Sequence, residues 1–142
     1  MFNRPFDDQS YIRIRLETEA KLFIQDKIKT KKLELIWSYI LEFENFHNPH
    51  EERKATIIKW KRLAFVDIEQ SPGLLNHAKK FIKLGIKSKD ALHVASALIA
   101  KADYFLTTDD KLLSAIDKNN IMKASNPINF IKVLENDNSN NR

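Results

Sequence analysis

The chain has 142 residues, of which 43% are hydrophobic and 10% aromatic, so it is long enough to bury one core in a single globular domain. It has no cysteine and two glycines, which excludes disulfide frameworks, thiolate metal sites and glycine-rich phosphate loops. The net charge of +5 is compatible with a polyanionic partner such as RNA.

The first half of the sequence predicts three helices and two strands. Apolar residues recur at helical spacing from Gln9 to Lys29, which predicts a long amphipathic helix. Its expected core positions are Ile12, Leu16, Ala20, Phe23 and Ile28. Ser38 is placed to cap a second helix, which Asn48-Pro49 ends. The other elements predicted here are a strand over Leu33–Trp37, a helix over Glu51–Leu63 and a strand over Ala64–Ile68.

The second half continues the alternation. Ser71-Pro72 opens a helix with core positions at Leu74, Ala78 and Phe81, and Gly85 follows where a left-handed C-cap is expected. The later predicted elements are a helix from Lys89 with Ser88 as its N-cap, a strand over Tyr104–Thr107, a helix over Asp110–Lys118, a strand over Ile121–Ala124 and a helix from Pro127. Residues 135–142 contain no apolar side chain, so we expect one domain over residues 1–134 and a disordered tail.

Strands that alternate with helices predict an α/β fold. We expect a mostly parallel sheet flanked by helices on both faces, built from right-handed crossovers. No apolar run approaches the ~20 residues of a membrane span, and the first residues lack the apolar segment of a signal peptide. We therefore expect a cytoplasmic protein without a membrane partner.

Three acidic residues lie where such a fold would bring them to one edge of the sheet. Glu44 is on the helix after the first visible strand, Asp90 is in a first helical turn, and Asp109 follows an apolar strand. Carboxylates that share a site repel one another unless a cation neutralises them, and hard oxygen ligands favour Mg²⁺ or Mn²⁺. Each acid also has a structural interpretation, because Asp90 can complement a helix dipole, Asp109 can cap a helix and Glu44 can be solvated.

Neighbouring residues leave further alternatives open. Glu42 competes with Glu44, but two positions apart on a helix only one of them can face the sheet edge. His47 has a Glu-x-x-His spacing without a second copy, so we expect it at the surface, and His93 is either a packed histidine or a substrate contact. A basic run is either a solvated helix face or a surface that guides RNA. That run consists of Lys79, Lys80, Lys83, Lys87 and Lys89.

Four segments together give the chain a family resemblance that spans nearly its whole length. They are Asn3-Arg-Pro-Phe-Asp-Asp8, Ser38-Tyr-Ile-Leu-Glu-Phe-Glu44 with Asn48-Pro49, Asp90-Ala-Leu-His-Val-Ala-Ser-Ala97 and Ala102-Asp-Tyr-Phe-Leu-Thr-Thr-Asp109. With them the chain resembles the PIN-domain nucleases, including the VapC-like toxins of bacterial toxin-antitoxin pairs. The resemblance implies a three-layer α/β/α fold, RNA as substrate, a small antitoxin as partner and a homodimer.

The same resemblance implies roles for individual residues. Glu44, Asp90 and Asp109 would be the catalytic residues that hold Mg²⁺ or Mn²⁺ in an endoribonuclease. Thr107 would be a supporting hydroxyl, and Lys87 and Lys89 would support the substrate. The alternative is a catalytically inactive PIN-like remnant that binds RNA or an antitoxin without cleavage.

One departure from the family pattern concerns the start of the chain. PIN domains open with a strand that ends in an aspartate and lies in the middle of the sheet, and this sequence begins after that position. We therefore expect the strands at Leu33–Trp37 and Tyr104–Thr107 to leave a gap of roughly 9 to 10 Å with unpaired backbone groups, and a domain of low stability. Asp7 and Asp8 are more suited to capping the first helix than to replacing the lost ligand.

Overall fold

Helices and short strands alternate along the part of the chain that the structure describes. This computed structural model describes the backbone of residues 5–140 and the side chains of residues 10–136. The elements in chain order are α1 (Pro5–Lys29), β1 (Leu35–Ser38), α2 (Tyr39–Phe46), α3 (Glu51–Lys61), β2 (Ala64–Ile68), α4 (Pro72–Lys83), α5 (Ser88–Ile99), β3 (Phe105–Leu106), α6 (Asp110–Lys118), β4 (Ala124–Ser125) and α7 (Pro127–Asn140). The predicted mixed α/β class is confirmed, and β2 and α6 have the predicted bounds.

The strands form two separate parallel pairs rather than one sheet. β1 pairs with β2, with Ile36 opposite Val66 and Ser38 opposite Ile68. β3 pairs with β4 through Phe105 opposite Ala124 and Leu106 opposite Ser125. Among residues 5–140, no strand joins β1 to β3. The parallel orientation agrees with the sequence prediction, whereas the strands of the described residues form two separate ribbons in place of one continuous sheet.

Local capping groups fix several helix ends where the sequence predicts them. The Ser38 hydroxyl accepts a hydrogen bond from the backbone N–H of Leu41 at 3.5 Å, at the start of α2. The Ser71 hydroxyl accepts one from the backbone N–H of Leu74 at 3.2 Å, at the start of α4. Gly85 follows α4 with φ 96°, a conformation that costs a glycine little because it has no Cβ. These three predicted caps are confirmed.

The main hydrophobic core lies between α4, α5 and α6. The predicted core residues Leu74, Ala78 and Phe81 of α4 are all buried there. Its other buried members are Ile86, Ala91, Val94, Ala95, Leu112 and Ile116. Half-buried apolar residues of both strand pairs, among them Ile68 and Phe105, pack against this cluster. The core therefore connects the two ribbons through helices rather than through backbone pairing.

The burial of α1 differs from the prediction. Its buried residues are Glu17, Ala20 and Ile24, whereas the predicted core residues Ile12 and Leu16 are 55% and 47% exposed. Phe23 is also exposed and Ile28 is half-buried, so of the five predicted positions the structure buries only Ala20. The physical reason is that α1 packs mainly on a single helix, α7, which covers only a narrow stripe.

The ends of the described chain bear on two further expectations. α7 continues to Asn140, through most of the segment whose composition predicts a disordered tail. The backbone of Asp7 and Asp8 belongs to α1, but the side chains of these two residues lie outside what the structure describes. Among the described helices, none has both the length and the apolar character that crossing a bilayer requires.

Candidate functional site

Glu44 contacts α5 from the neighbouring helix α2. Its Oε1 is hydrogen-bonded to Nε2 of His93, which is 49 residues away in the chain. His93 follows Asp90 by three residues, and residues three apart on a helix lie on the same side. Two of the three predicted acids, Glu44 and Asp90, therefore lie on helices that contact each other.

Glu42 and Glu44 leave α2 in different directions, as their spacing predicts. The carboxylate of Glu42 accepts a hydrogen bond from Nζ of Lys61 on α3, whereas Glu44 faces α5. The Glu42 side chain is 54% exposed and the Glu44 side chain 38%. Of the two glutamates, Glu44 is therefore the one that contacts α5, the helix that carries Asp90.

Asp90 lies in the first turn of α5, as predicted, but the predicted cap of this helix is wrong. Ser88 is the first helical residue and Lys87 is the N-cap, in an extended conformation with φ −64° and ψ 150°. The carbonyl of Lys87 already accepts the first helical hydrogen bond, from the N–H of Ala91 at 2.8 Å. Asp90 is the one acid in the first turn of α5, where a negative charge complements the helix dipole.

Asp109 caps α6 with its side chain. Its Oδ1 accepts hydrogen bonds from the N–H groups of Lys111 and Leu112 at 3.0 and 3.2 Å. Its own N–H donates to the hydroxyl of Thr107 at 3.0 Å, so Thr107 supports the backbone at this position. The capping role that the sequence left open for Asp109 is confirmed. Both capping bonds use Oδ1, and within the described residues Oδ2 makes no hydrogen bond.

The three acids do not form a ready-made metal centre. Within the described side chains, no group of three or more histidine, cysteine, aspartate or glutamate residues is arranged to hold a metal ion. The donor types of Glu44, Asp90 and Asp109 do fit Mg²⁺ or Mn²⁺, because all three offer hard oxygen ligands. In this arrangement Glu44 is hydrogen-bonded to a histidine and Asp109 to the start of its own helix.

The basic run comes just before Asp90 in the sequence and lies on the protein surface. All five lysines of the run are exposed: Lys79, Lys80, Lys83, Lys87 and Lys89. Within the described side chains, none of them has a carboxylate partner within 4.0 Å. Their charges are therefore available to a polyanion, and Lys87 and Lys89 are the two nearest to Asp90 in the chain.

An ion pair that sequence reasoning did not predict holds the start of α6. Arg13 of α1 donates from Nη1 and Nη2 to the two carboxylate oxygens of Asp110, each at 2.7 Å. The two residues are 97 positions apart, and no local pattern links them. Because Asp110 follows Asp109 directly, this bidentate pair ties α1 to the start of α6, beside the capping aspartate.

The Arg13–Asp110 pair makes the stability of the fold depend on acid pH. Hydrogen bonding by the Arg13 guanidinium lowers the pKa of the Asp110 carboxyl below its usual value. Its stabilisation is therefore present above the ordinary carboxyl pKa and is lost as pH falls through the lowered value. We expect Arg13→Gln to unfold at lower urea concentration than wild type at neutral pH and to match it near pH 2.

The matched control for this pH experiment is Arg15→Gln. Arg15 lies on the same helix, but its partner is Glu19, one turn away on α1 itself, at 3.7 Å. We expect its effect on the urea midpoint to be small at every pH, because exposed pairs within one helix contribute little. A difference between Arg13→Gln and wild type that stays constant from neutral to acid pH would contradict the assigned role of the pair.

Sequence reasoning identified the acids but not their partners. His93 was expected as either a packed histidine or a substrate contact, and the structure gives it Glu44 as its partner. The spacing of three residues from Asp90 is the local pattern that could have linked this histidine to the acidic site. Comparisons of the chain with family models, with curated proteins and with solved structures find no match.

Proposed function

We propose that the protein is a metal-dependent endoribonuclease of the PIN-domain type that hydrolyses RNA phosphodiester bonds. The observation that carries the proposal is the contact between Glu44 and His93, which joins two of the resembling motifs at one place. The parallel pairing of strands that alternate with helices is also in keeping with the proposed three-layer α/β/α PIN fold. The proposal extends to the cytoplasmic toxin of a toxin-antitoxin pair, with a small antitoxin as partner and a possible homodimer.

The proposed catalytic residues are the three acids. Glu44, Asp90 and Asp109 would hold Mg²⁺ or Mn²⁺, which when bound supplies a Lewis acid beside the scissile phosphate and lowers the pKa of water. Ser38 positions Glu44 by capping α2, and Thr107 positions Asp109 through its backbone N–H.

Cations beside the acids would bring the phosphate backbone to them. Lys87 and Lys89 bracket the start of α5, where Asp90 lies, and both are exposed. Positive charge next to a carboxylate cluster offsets the repulsion that the acids exert on RNA phosphates. In the proposal these two lysines support the substrate and take no part in proton transfer.

The test is cleavage of single-stranded RNA in the presence of Mg²⁺. We expect the wild-type chain to cut and the Asp90→Asn variant to lose about 100-fold or more of the rate, because even groups that only support metal ligands are worth 10- to 100-fold. EDTA should abolish the wild-type activity. Equal cleavage by wild type and Asp90→Asn, with both proteins folded, would refute the proposal.

A second candidate function is binding of RNA or of an antitoxin without cleavage. The observation that favours it is the engagement of Glu44 with His93 and of Asp109 with α6, which leaves no three-acid group among the described side chains. This candidate predicts RNA affinity that is the same with Mg²⁺ and with EDTA, and no cut product with either. The nuclease proposal predicts products that appear only with the metal.

A further inference from the structure

Two phenylalanines and a histidine form an exposed aromatic surface at the end of α2. We define the aromatic platform as Phe43, Phe46 and His47. The phenylalanines are 56% and 70% exposed, although both are large apolar side chains. The His47 ring lies 4.6 Å from that of Phe43 and 5.3 Å from that of Phe46, centroid to centroid, in edge-to-face arrangements. Clustered apolar exposure of this kind marks an interaction surface.

The platform is held in place by contacts between α2 and α3. Buried Asn45 donates from Nδ2 to the backbone carbonyl of Lys54 at 3.1 Å, and Lys61 donates to Glu42. Nζ of Lys54 lies 5.0 Å from the centroid of the Phe46 ring. The rings are therefore fixed on a braced pair of helices, and one of them has an ammonium group directly beside it.

The charge around the platform favours a polyanion. α3 and its C-cap carry five cations against two acids; one of these cations, Lys61, is paired with Glu42, which leaves four cations against two acids. The cations are Arg53, Lys54, Lys59, Lys61 and Arg62, and the acids are Glu51 and Glu52. Aromatic faces combined with a basic surround are the combination that binds single-stranded nucleic acid, since bases stack on rings while lysines meet phosphates.

We propose that the aromatic platform stacks unpaired bases of RNA. In this arrangement Lys54, whose Nζ lies beside the Phe46 ring, would meet the flanking phosphate. The choice of RNA rests on the proposed function, and the platform deepens it by assigning the surface that would bind the unpaired bases. A peptide partner would use the same surface through apolar contact alone, without any requirement for aromatic rings.

The test measures binding in EDTA, so that it does not depend on cleavage. The probes are a short labelled single-stranded oligoadenylate and an abasic ribose-phosphate oligomer of the same length. The binding of each probe is measured by fluorescence anisotropy. We expect wild type to bind the oligoadenylate more tightly. Phe43→Ala and Phe46→Ala should weaken that binding by roughly 5- to 100-fold and leave the affinity for the abasic oligomer unchanged.

Two matched variants separate stacking from other effects. Phe46→Tyr keeps an aromatic ring and should bind like wild type, whereas Phe46→Leu should bind as weakly as Phe46→Ala. Phe23→Ala removes a phenylalanine that also has a lysine beside its ring, Lys27 at 5.0 Å, but lies on α1, and it should bind like wild type.

Four results would overturn the inference. They are no measurable binding of oligoadenylate by wild type, equal affinity in wild type and Phe46→Ala, equal losses on both probes, and full affinity in Phe46→Leu. The last result would show that apolar contact, and not ring stacking, accounts for the binding. The binding assay contains no metal, so its result is independent of cleavage. Ring-dependent binding by a protein that does not cut RNA with Mg²⁺ would refute the nuclease proposal and support the platform. Cleavage of RNA without ring-dependent binding would support the nuclease proposal and refute the platform.

Discussion

The Asp109→Asn variant is expected to keep nearly all of its thermal stability and to lose about 100-fold or more of its RNA cleavage rate. Asparagine caps a helix about as well as aspartate, so the bonds to Lys111 and Leu112 can be kept. An amide carries no negative charge and is a weaker ligand for a divalent cation than a carboxylate. The change therefore removes the proposed function of the residue and spares its observed structural role.

Two companion variants complete this experiment. Asp109→Ala removes the cap as well and should lower the free energy of unfolding by about 1 kcal/mol in addition to abolishing cleavage. Asp117→Asn neutralises another exposed aspartate on α6 and should leave both stability and cleavage unchanged. Thermal unfolding and cleavage of single-stranded RNA with Mg²⁺ are the two measurements. Wild-type cleavage by Asp109→Asn would show that Asp109 is a cap and nothing more.

Truncation of Leu74 is expected to have the largest effect on stability. Leu74 is fully buried at the centre of the cluster that α4, α5 and α6 form. Leu74→Ala removes apolar atoms and leaves a cavity that the surrounding helices fill only in part. We expect a loss of about 2 to 5 kcal/mol in the free energy of unfolding, measured by urea denaturation.

The control for Leu74 lies on the same helix. Ile82 is 44% exposed, and Ile82→Ala should cost roughly 0.5 to 1 kcal/mol because little of its surface is lost from the core. Both variants keep the helix propensity of alanine, so propensity contributes little to the difference between them. Equal destabilisation by the two changes would mean that the α4–α5–α6 cluster is not the main core of this domain.

The parts of the fold that local sequence determines could be predicted. The caps Ser38, Ser71 and Gly85 follow from side-chain chemistry and backbone freedom at single positions, and the bounds of β2 and α6 follow from flanking turn residues. Burial along α1 could not be predicted in the same way. Its apolar residues occupy more than one stripe, and only the packing on α7 decides that Ala20 and Ile24 are buried while Ile12 is exposed.

In the candidate site too, some features could be predicted from local sequence and others depend on packing. The sequence predicts candidate acids from their positions, because Asp90 lies at a helix start, Asp109 follows a strand and Glu44 lies on the helix after a strand. It does not indicate that Glu44 meets His93 or that Arg13 meets Asp110, since these partners are 49 and 97 residues apart and their contacts arise only from packing. The arrangement of the strands in two separate pairs could likewise not be predicted from local sequence, because packing of the whole chain decides which strands lie side by side.

Binding of Mn²⁺ to the intact wild-type chain, followed by electron paramagnetic resonance, tests the central claim most directly. The account predicts saturable binding of the ion, with an affinity that falls by about tenfold or more in each of Glu44→Gln, Asp90→Asn and Asp109→Asn. The same titration with Asp117→Asn should match wild type. Absence of bound Mn²⁺ in wild type, or affinities unchanged in all three acid variants, would contradict the claim that these carboxylates share one metal ion.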